Sequence, residues 1–309
     1  MPVDWSAEVE RRVGGFLNLN NVSNLLMVVP GASGDIALAT TAIRHIKSVR
    51  PDCEITIGVR DHLKHVARLC PGASNVISLA FDEHWDKRSL LLSHYRKLVD
   101  CVVVVGIYSE DMDLLTKCGL SLVDTMWLLS GLPKSTQSLK IWLECRDDRK
   151  EKEFFGSEKA TYSTPLDVKR DIIISTDARS LQAMPIALTH DFVAILKGAG
   201  LTVFHNVLRE ADAMPGTIPL ICSHEEFLAF RNRGFAYAGW RSGLCDIAAA
   251  SSAPMLVLTH AATEWYSSHE ASFGFNAMNI DCSCTEIFIE NEDSANLDGV
   301  RDFVDRVIK

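Results

Sequence analysis

The chain has 309 residues, 47% hydrophobic and 23% charged, which suffices for ordinary globular cores and, at the usual domain size, for about two domains. Its formal net charge of −9 excludes nucleic acid as a partner, because affinity for a phosphate backbone depends on lysine and arginine and no basic stripe interleaved with aromatics offsets the acids. The opening MPVDWSAEVERRVGGF contains acids and no long apolar core, so it does not read as a signal peptide, and no run of about 18 apolar residues is present to span a bilayer.

Within that opening segment Trp5, Val9, Val13 and Phe16 share one helical stripe. The stripe is short and not lysine-rich, which favours a helix packed on the first domain over one lying on a membrane. Leu25 to Val29 is a continuous apolar run of strand length, followed by turn chemistry in Pro30-Gly31-Ala32-Ser33-Gly34. From Asp35 the spacing is helical, with Ile36, Ala39, Ile43 and Ile46 on one face, until Pro51 stops it. Glu54 to Val59 resumes a strand. The unit is βαβ, with its first loop at the carboxyl end of a strand, where open α/β sheets place ligands.

Alternation continues. Asn75 to Ala80 reads as a strand, Lys87 to Val99 as a helix, Cys101 to Ile107 as a strand, and Asp111 to Ser130 as one long helix ending at Gly131 and Pro133. Arg146 to Arg170 is charge-rich, contains Gly156 and Pro165 and keeps no periodicity. The expected division is therefore an amino-terminal domain over 1–150, a linker over 151–170 and a carboxyl-terminal domain over 171–309. In the later half the expected strands are Ile172–Ser175, Leu201–Asn206, Pro219–Cys222, Phe235–Gly239 and Met255–Thr259. The expected helices are Leu188–Gly198, Glu225–Arg231, Gly243–Ser251 and Leu297–Ile308. Two Rossmann-like α/β domains facing each other across a cleft are the predicted architecture.

Several chemistries find no support. The nine cysteines, an odd number, lie mostly in apolar segments, as Cys53, Cys70, Cys101, Cys118, Cys222 and Cys245 do, and read as free thiols of a reducing cytoplasm. Cys282 and Cys284 form one C-x-C pair without a second at metal-ligand spacing, so no metal is expected. The histidines, His62, His65, His84, His94, His190, His205 and His224 among them, follow no ligand pattern. No G-x-S-x-G elbow or G-x-x-x-x-G-K-[ST] loop occurs, which removes serine hydrolases and P-loop hydrolases.

Three segments remain as sites. Gly31, Gly34 and Ala37 fit G-x-x-G-x-x-A, and Asp61 ends a strand GVRD, as a dinucleotide loop would need. A short-chain dehydrogenase would add a tyrosine with a lysine four residues later. Tyr95, Tyr108, Tyr162, Tyr237 and Tyr266 are followed at that offset by Val99, Met112, Leu166, Arg241 and Glu270. The second segment is Phe235 to His260, where a strand gives way to Arg241-Ser242 and an alanine-rich helix beginning near Gly243; helix-start amides and a planar guanidinium suit a diphosphate. The third is Ser175 to Ser180, a polar loop after the first strand of the second half. A softer fourth, His260 to His269, offers Trp265 or Tyr266 for stacking and Glu264 as an acceptor.

The order Ser33-Gly34-Asp35, the helix ALATTAIRHIK, the continuation RPDCEITIGVR and then HVARLCPGASNVI resemble the amino-terminal domain of glycosyltransferase family 9, the heptosyltransferases. The resemblance implies a GT-B fold and assigns to Asp35 the catalytic base, with Ser33 and Gly34 in the acceptor-side loop. The later block resembles the donor region of two-domain glycosyltransferases, with Arg241, Ser242, Gly243 and Asp246 as donor-binding residues and Thr176 and Arg179 as phosphate contacts. Where heptosyltransferases carry D-T-G-x-x-H, this chain has R-S-G-L-C-D, with Ser242-Gly243 for the threonine-glycine pair and Asp246 for the histidine. ADP-heptose as the specific donor does not follow from that motif.

The function so implied is a metal-independent, inverting transfer of sugar from a nucleotide-diphosphate donor to a glycan, lipid-linked or protein acceptor, in cell-surface polysaccharide or lipopolysaccharide assembly. No cofactor is implied, and the expected location is the cytoplasm, or the inner face of the membrane for a lipid-linked acceptor. The alternatives are an NAD(P)-dependent Rossmann oxidoreductase using the Gly31 turn and a non-catalytic nucleotide-sugar or glycan-binding protein.

Overall fold

The computed structural model describes residues 7, 11–13, 15–79, 95, 101–107, 111, 114, 115, 118, 120–145, 167–177, 184–261, 269–290 and 297–308. The chain divides into two compact units, Met1–Glu144 with Glu264–Asp281, and Cys145–Thr263 with Cys282–Lys309. Each is α/β and built on its own parallel sheet. Residues 151–166 of the expected linker, Arg179, the acceptor candidate Glu264 and the stacking candidates Trp265 and Tyr266 lie outside the described residues, as does the expected helix Lys87–Val99 apart from Tyr95.

The first unit carries strands β1 (Asn24–Val28), β2 (Glu54–Val59), β3 (Asn75–Ser78) and β4 (Cys101–Val104) in the order β3-β2-β1-β4. β1 is the hub, pairing through Asn24↔Glu54 with β2 and Leu25↔Cys101 with β4. Leu25, Leu26, Met27 and Val28 are all buried, which is why the segment is continuously apolar rather than alternating. Because β2 and β3 extend to one side of β1 and β4 to the other, the strand order reverses between β1 and β4, and the loop after β1 opens at that reversal.

Helix α1 (Ser33–Val49) fills that crossover and starts two residues before the expected Asp35. Ile36, Ala39, Ile43 and Ile46 are buried as their spacing requires, but so are Thr40 and Thr41 on a second face. Their hydroxyls are satisfied there: Thr41 Oγ1 accepts the Trp127 indole N–H at 3.0 Å and Thr40 Oγ1 accepts the Trp142 amide at 2.8 Å. A short helix α2 (Lys64–Ala67) precedes β3.

The long helix expected over Asp111 to Ser130 is corrected to a shorter one, α3 (Leu122–Leu129). Ser121 is extended, with φ −70 and ψ 164, and its side chain accepts the Asp124 amide, so it caps a new helix instead of continuing an old one. The described part of the amino-terminal segment packs on this unit: Arg12 Nη1 pairs with the buried Asp111 at 2.9 Å, and Val13 packs against Leu114, Leu120, Leu128 and Leu129.

The second unit carries β5 (Asp171–Ser175), β6 (Thr202–Asn206), β7 (Ile218–Leu220), β8 (Ala236–Trp240), β9 (Met255–His260) and β10 (Cys284–Ile289) in the order β10-β9-β8-β5-β6-β7. Helices α4 (Ile186–Gly198), α5 (His224–Asn232) and α6 (Gly243–Ala248) follow in the crossovers. α7 (His269–Phe273) belongs to the residues of the first unit, where Leu139 bridges Ile280, and α8 (Asp298–Ile308) closes the second. β10 and α7 were not anticipated.

The core of the second unit joins Ile172, Ile174, Phe192, Leu196, Trp240, Leu256 and Leu258 to Val300, Phe303 and Val304 of α8. At about 1.5–3 kcal/mol for each fully buried large apolar side chain, this contact holds the carboxyl-terminal helix to the sheet. Arg231, wholly buried, donates to the carbonyls of Phe235, Ala253 and Pro254, so one guanidinium ties the end of α5 to the starts of β8 and β9.

Candidate functional site

In the second sheet the order reverses between β5 and β8. These strands are hydrogen-bonded neighbours whose register ends at Ser175↔Gly239, so the chain after Ser175 and the chain after Trp240 leave the sheet side by side. Thr176 and Asp177 follow the first; Arg241 and Ser242 follow the second. Two loops far apart in sequence thus share one end of the reversal, where open α/β sheets bind ligands.

Gly239 makes this approach feasible, since a Cβ there would stand 2.6 Å from the Ser175 carbonyl and 2.6 Å from Tyr237 Oη. Beneath the loop, Tyr237 Oη lies 3.5 Å from Cys245 Sγ, and that thiol donates to the Trp240 carbonyl at 3.2 Å. Burial pushes both the phenol and the thiol up, keeping the sulfur neutral and unreactive.

Thr176 is half-buried, and its Oγ1 lies 3.0 Å from Nε2 of His205, on β6. The other ring nitrogen, Nδ1, accepts the Met214 amide at 3.0 Å. Burial lowers the His205 pKa, against a weaker upward pull from Asp177.

Arg241 is not the open cation that its position after β8 suggested. It is 4% exposed, and its Nη2 lies 2.7 Å from Oδ1 of Asp246, also 4% exposed. The contact is an ion pair rather than a well-aligned hydrogen bond. Nη1 donates to the Ser242 carbonyl at 3.0 Å. Burial opposes the Arg241 cation and Asp246 outweighs it, so the guanidinium is held above its ordinary value. Burial in turn pushes the Asp246 carboxyl up against the pull of Arg241. Two of the expected donor residues therefore face each other. Ser242 is extended at the start of α6 and Gly243 opens its first turn, so the amides of that turn belong to the loop beside Thr176.

In the first unit, Ser33, Gly34 and Asp35 form the opening turn of α1 at the reversal between β1 and β4. Asp35 Oδ2 accepts the Ala32 amide at 2.7 Å. Ala32 has no side-chain acceptor to return, so this is half of a capping box. The carboxylate folds over Gly31, where an added Cβ would collide with Oδ2. An acid therefore fills the turn in which a dinucleotide loop would receive a pyrophosphate.

No protein-family model matches this chain, and no curated protein matches it in sequence. Solved structures do. An E. coli ADP-heptose lps heptosyltransferase II matches over 92% of this chain and 98% of its own at 14% identity, with a TM-score of 0.64. A glycosyl transferase of family 9 from Veillonella parvula matches over 93% and 97% at 12% identity, TM-score 0.61. The E. coli heptosyltransferase WaaC with ADP matches over 92% and 97% at 12% identity, TM-score 0.57.

The chain has the fold of the family 9 glycosyltransferases. Within that fold Asp35 and the Thr176 and Arg241 loops occupy the strand-order reversals of their own sheets. His205 is the residue that sequence reasoning passed over among scattered histidines. It lies at β6 opposite Ile174 of β5, two positions from Thr176, a neighbour relation that only strand register reveals. No group of three or more His, Cys, Asp or Glu side chains among the described residues is arranged to hold a metal ion. No described helix is long and apolar enough to cross a membrane.

Proposed function

We propose that this protein is a glycosyltransferase that moves a sugar from a nucleotide-diphosphate donor to a hydroxyl of a glycan, lipid-linked or protein acceptor in cell-surface polysaccharide or lipopolysaccharide assembly. The observation that carries the reading is the convergence of the Thr176 loop and the Arg241-Ser242-Gly243 loop at the β5/β8 reversal, in a chain with the family 9 fold. One loop offers a hydroxyl and the other the amides of a helix's first turn. Both suit the oxygens of a diphosphate, and Arg179, three residues after Thr176 in the sequence, is the cation that the family resemblance assigns to the phosphates.

In the proposed reaction Asp35 takes the proton of the acceptor hydroxyl as that oxygen bonds to the anomeric carbon. The bond from that carbon to the diphosphate breaks, the configuration inverts and the diphosphate leaves with the electron pair. A positioned base of this kind typically contributes about 100- to 10,000-fold. The Ala32 amide bonded to Asp35 Oδ2 orients the carboxylate. Arg241, paired with Asp246, contributes by stiffening the loop and by the field of its cation rather than as a lone phosphate ligand. The scheme routes no step through a metal, and Asp246 in the motif leaves the donor sugar open beyond heptose.

The acid folded over Gly31 counts against the NAD(P) oxidoreductase alternative, because it repels the phosphates that such a loop must bind. A second reading, a nucleotide-sugar binder without chemistry, is favoured by one observation: the guanidinium of Arg241 is already engaged by an acid. A thermal-shift series with ADP, UDP, their sugars and NAD(P), followed by mass detection of sugar transfer to a mixed glycan acceptor, tests all three. Stabilisation by NAD(P) alone sinks the proposal. Stabilisation by nucleotide sugars with no transfer or hydrolysis leaves the binder.

A further inference from the structure

We infer that His205 is a positioning residue that turns the Thr176 hydroxyl into a hydrogen-bond donor at the open end of the β5/β8 reversal, where it meets an anionic oxygen of the bound diphosphate. The inference deepens the donor-site reading above and rests on it.

The argument is one of hydrogen-bond direction. A backbone amide can only donate, so the Met214 N–H at 3.0 Å makes His205 Nδ1 an acceptor that bears no proton. A neutral imidazole with a bare Nδ1 carries its hydrogen on Nε2. Nε2 lies 3.0 Å from Thr176 Oγ1 and therefore donates to it. Thr176 has one hydroxyl hydrogen, and with Oγ1 accepting from the ring that hydrogen points away from His205. No other partner of the Thr176 hydroxyl occurs among the described residues. A donor is thus held ready at a half-buried position directly after β5. Protonating the ring would set an Nδ1–H against the Met214 N–H, and the burial that keeps His205 neutral works in the same direction.

The ring also joins three elements: β6, the end of β5 and the turn in which Thr217 bonds back to the Met214 carbonyl. The Nε2 bond to a residue at the strand-order reversal gives the ring a second task.

Two substitutions separate those tasks. His205→Asn places its amide oxygen where Nδ1 stands and keeps the Met214 bond, but does not reach Thr176. His205→Gln places its amide nitrogen where Nε2 stands and keeps the donation to Thr176, but releases Met214. With ADP and, in parallel, UDP as calorimetric probes, His205→Asn should bind at least about tenfold more weakly, the worth of one hydrogen bond to a charged group, while His205→Gln stays within about threefold. Thr176→Ser should bind like the parent and Thr176→Val like His205→Asn. The double variant Thr176→Val with His205→Asn should be no weaker than Thr176→Val alone. Near-ultraviolet circular dichroism checks that each variant is folded. If the parent binds a diphosphate and His205→Asn binds it equally well, or both His205 variants lose affinity alike, the positioning role is wrong. If the parent binds neither diphosphate, the donor-site reading itself falls and this inference with it.

Discussion

Arg241 and Asp246 form an ion pair of 2.7 Å at the head of α6, with side chains 5% exposed on each partner. Breaking such a pair strands a charge in a medium that cannot solvate it, whereas replacing both partners by apolar groups does not. Asp246→Ala should therefore destabilise the protein by about 3–5 kcal/mol in denaturant titration, and Arg241→Met combined with Asp246→Leu should recover most of that loss. A recovery in stability without a recovery in ADP affinity would assign the Arg241 charge to the ligand as well as to the fold.

Asp35→Asn tests the proposed base. Asparagine keeps an oxygen for the Ala32 amide, so α1 should start as before and the melting temperature should hardly move. Sugar transfer should fall about 100- to 10,000-fold while ADP binds with unchanged affinity. Full turnover in this variant would reduce Asp35 to a helix cap.

Gly31→Ala probes the same contact from the other side. The new Cβ would displace the Asp35 carboxylate from the Ala32 amide, removing a helix-start bond of about 1 kcal/mol and misplacing the proposed base. In an Asp35→Gly background all three Asp35 atoms that the new Cβ would meet are gone, and Gly31→Ala should be neutral or stabilising there through the stiffer unfolded chain. Equal destabilisation in both backgrounds, measured by urea titration, would show that something other than the carboxylate needs the glycine.

Stability should depend on pH through His205. Burial holds its folded pKa below the ordinary 6.5, so the unfolded chain takes up the proton first as pH falls. Its contribution is fully present above the unfolded value and is lost as the pH drops toward the lowered folded value. Melting temperatures at about pH 7.5 and about pH 5.5 should therefore diverge more in the parent than in His205→Gln. His45, also lowered by burial, adds a slope of the same sign to both proteins.

The strand-turn-helix-strand unit from Leu25 to Val59 was legible because its signals are local: an apolar run, a glycine turn, a helical stripe and Pro51. The break at Ser121 was not, because Asp111 to Ser130 keeps a helical pattern while a serine cap competes for the same backbone. β10 was missed for another reason. Five of its six residues are only half-buried, so the continuous apolar signature of a central parallel strand is absent.

The candidate residues divide in the same way. The chain by itself determined which turns follow which strands, since glycine placement and apolar periodicity act over a few residues, and the family resemblance then assigned Asp35, Thr176, Arg241, Ser242, Gly243 and Asp246 in those turns. Strand order decided the rest. Pairing β5 with β8 on one side and β6 on the other set Thr176 beside the Arg241 loop and within reach of His205, 29 residues away in sequence. Burial then determined what the charges do, because an arginine and an aspartate five residues apart become partners only when both are taken out of water together.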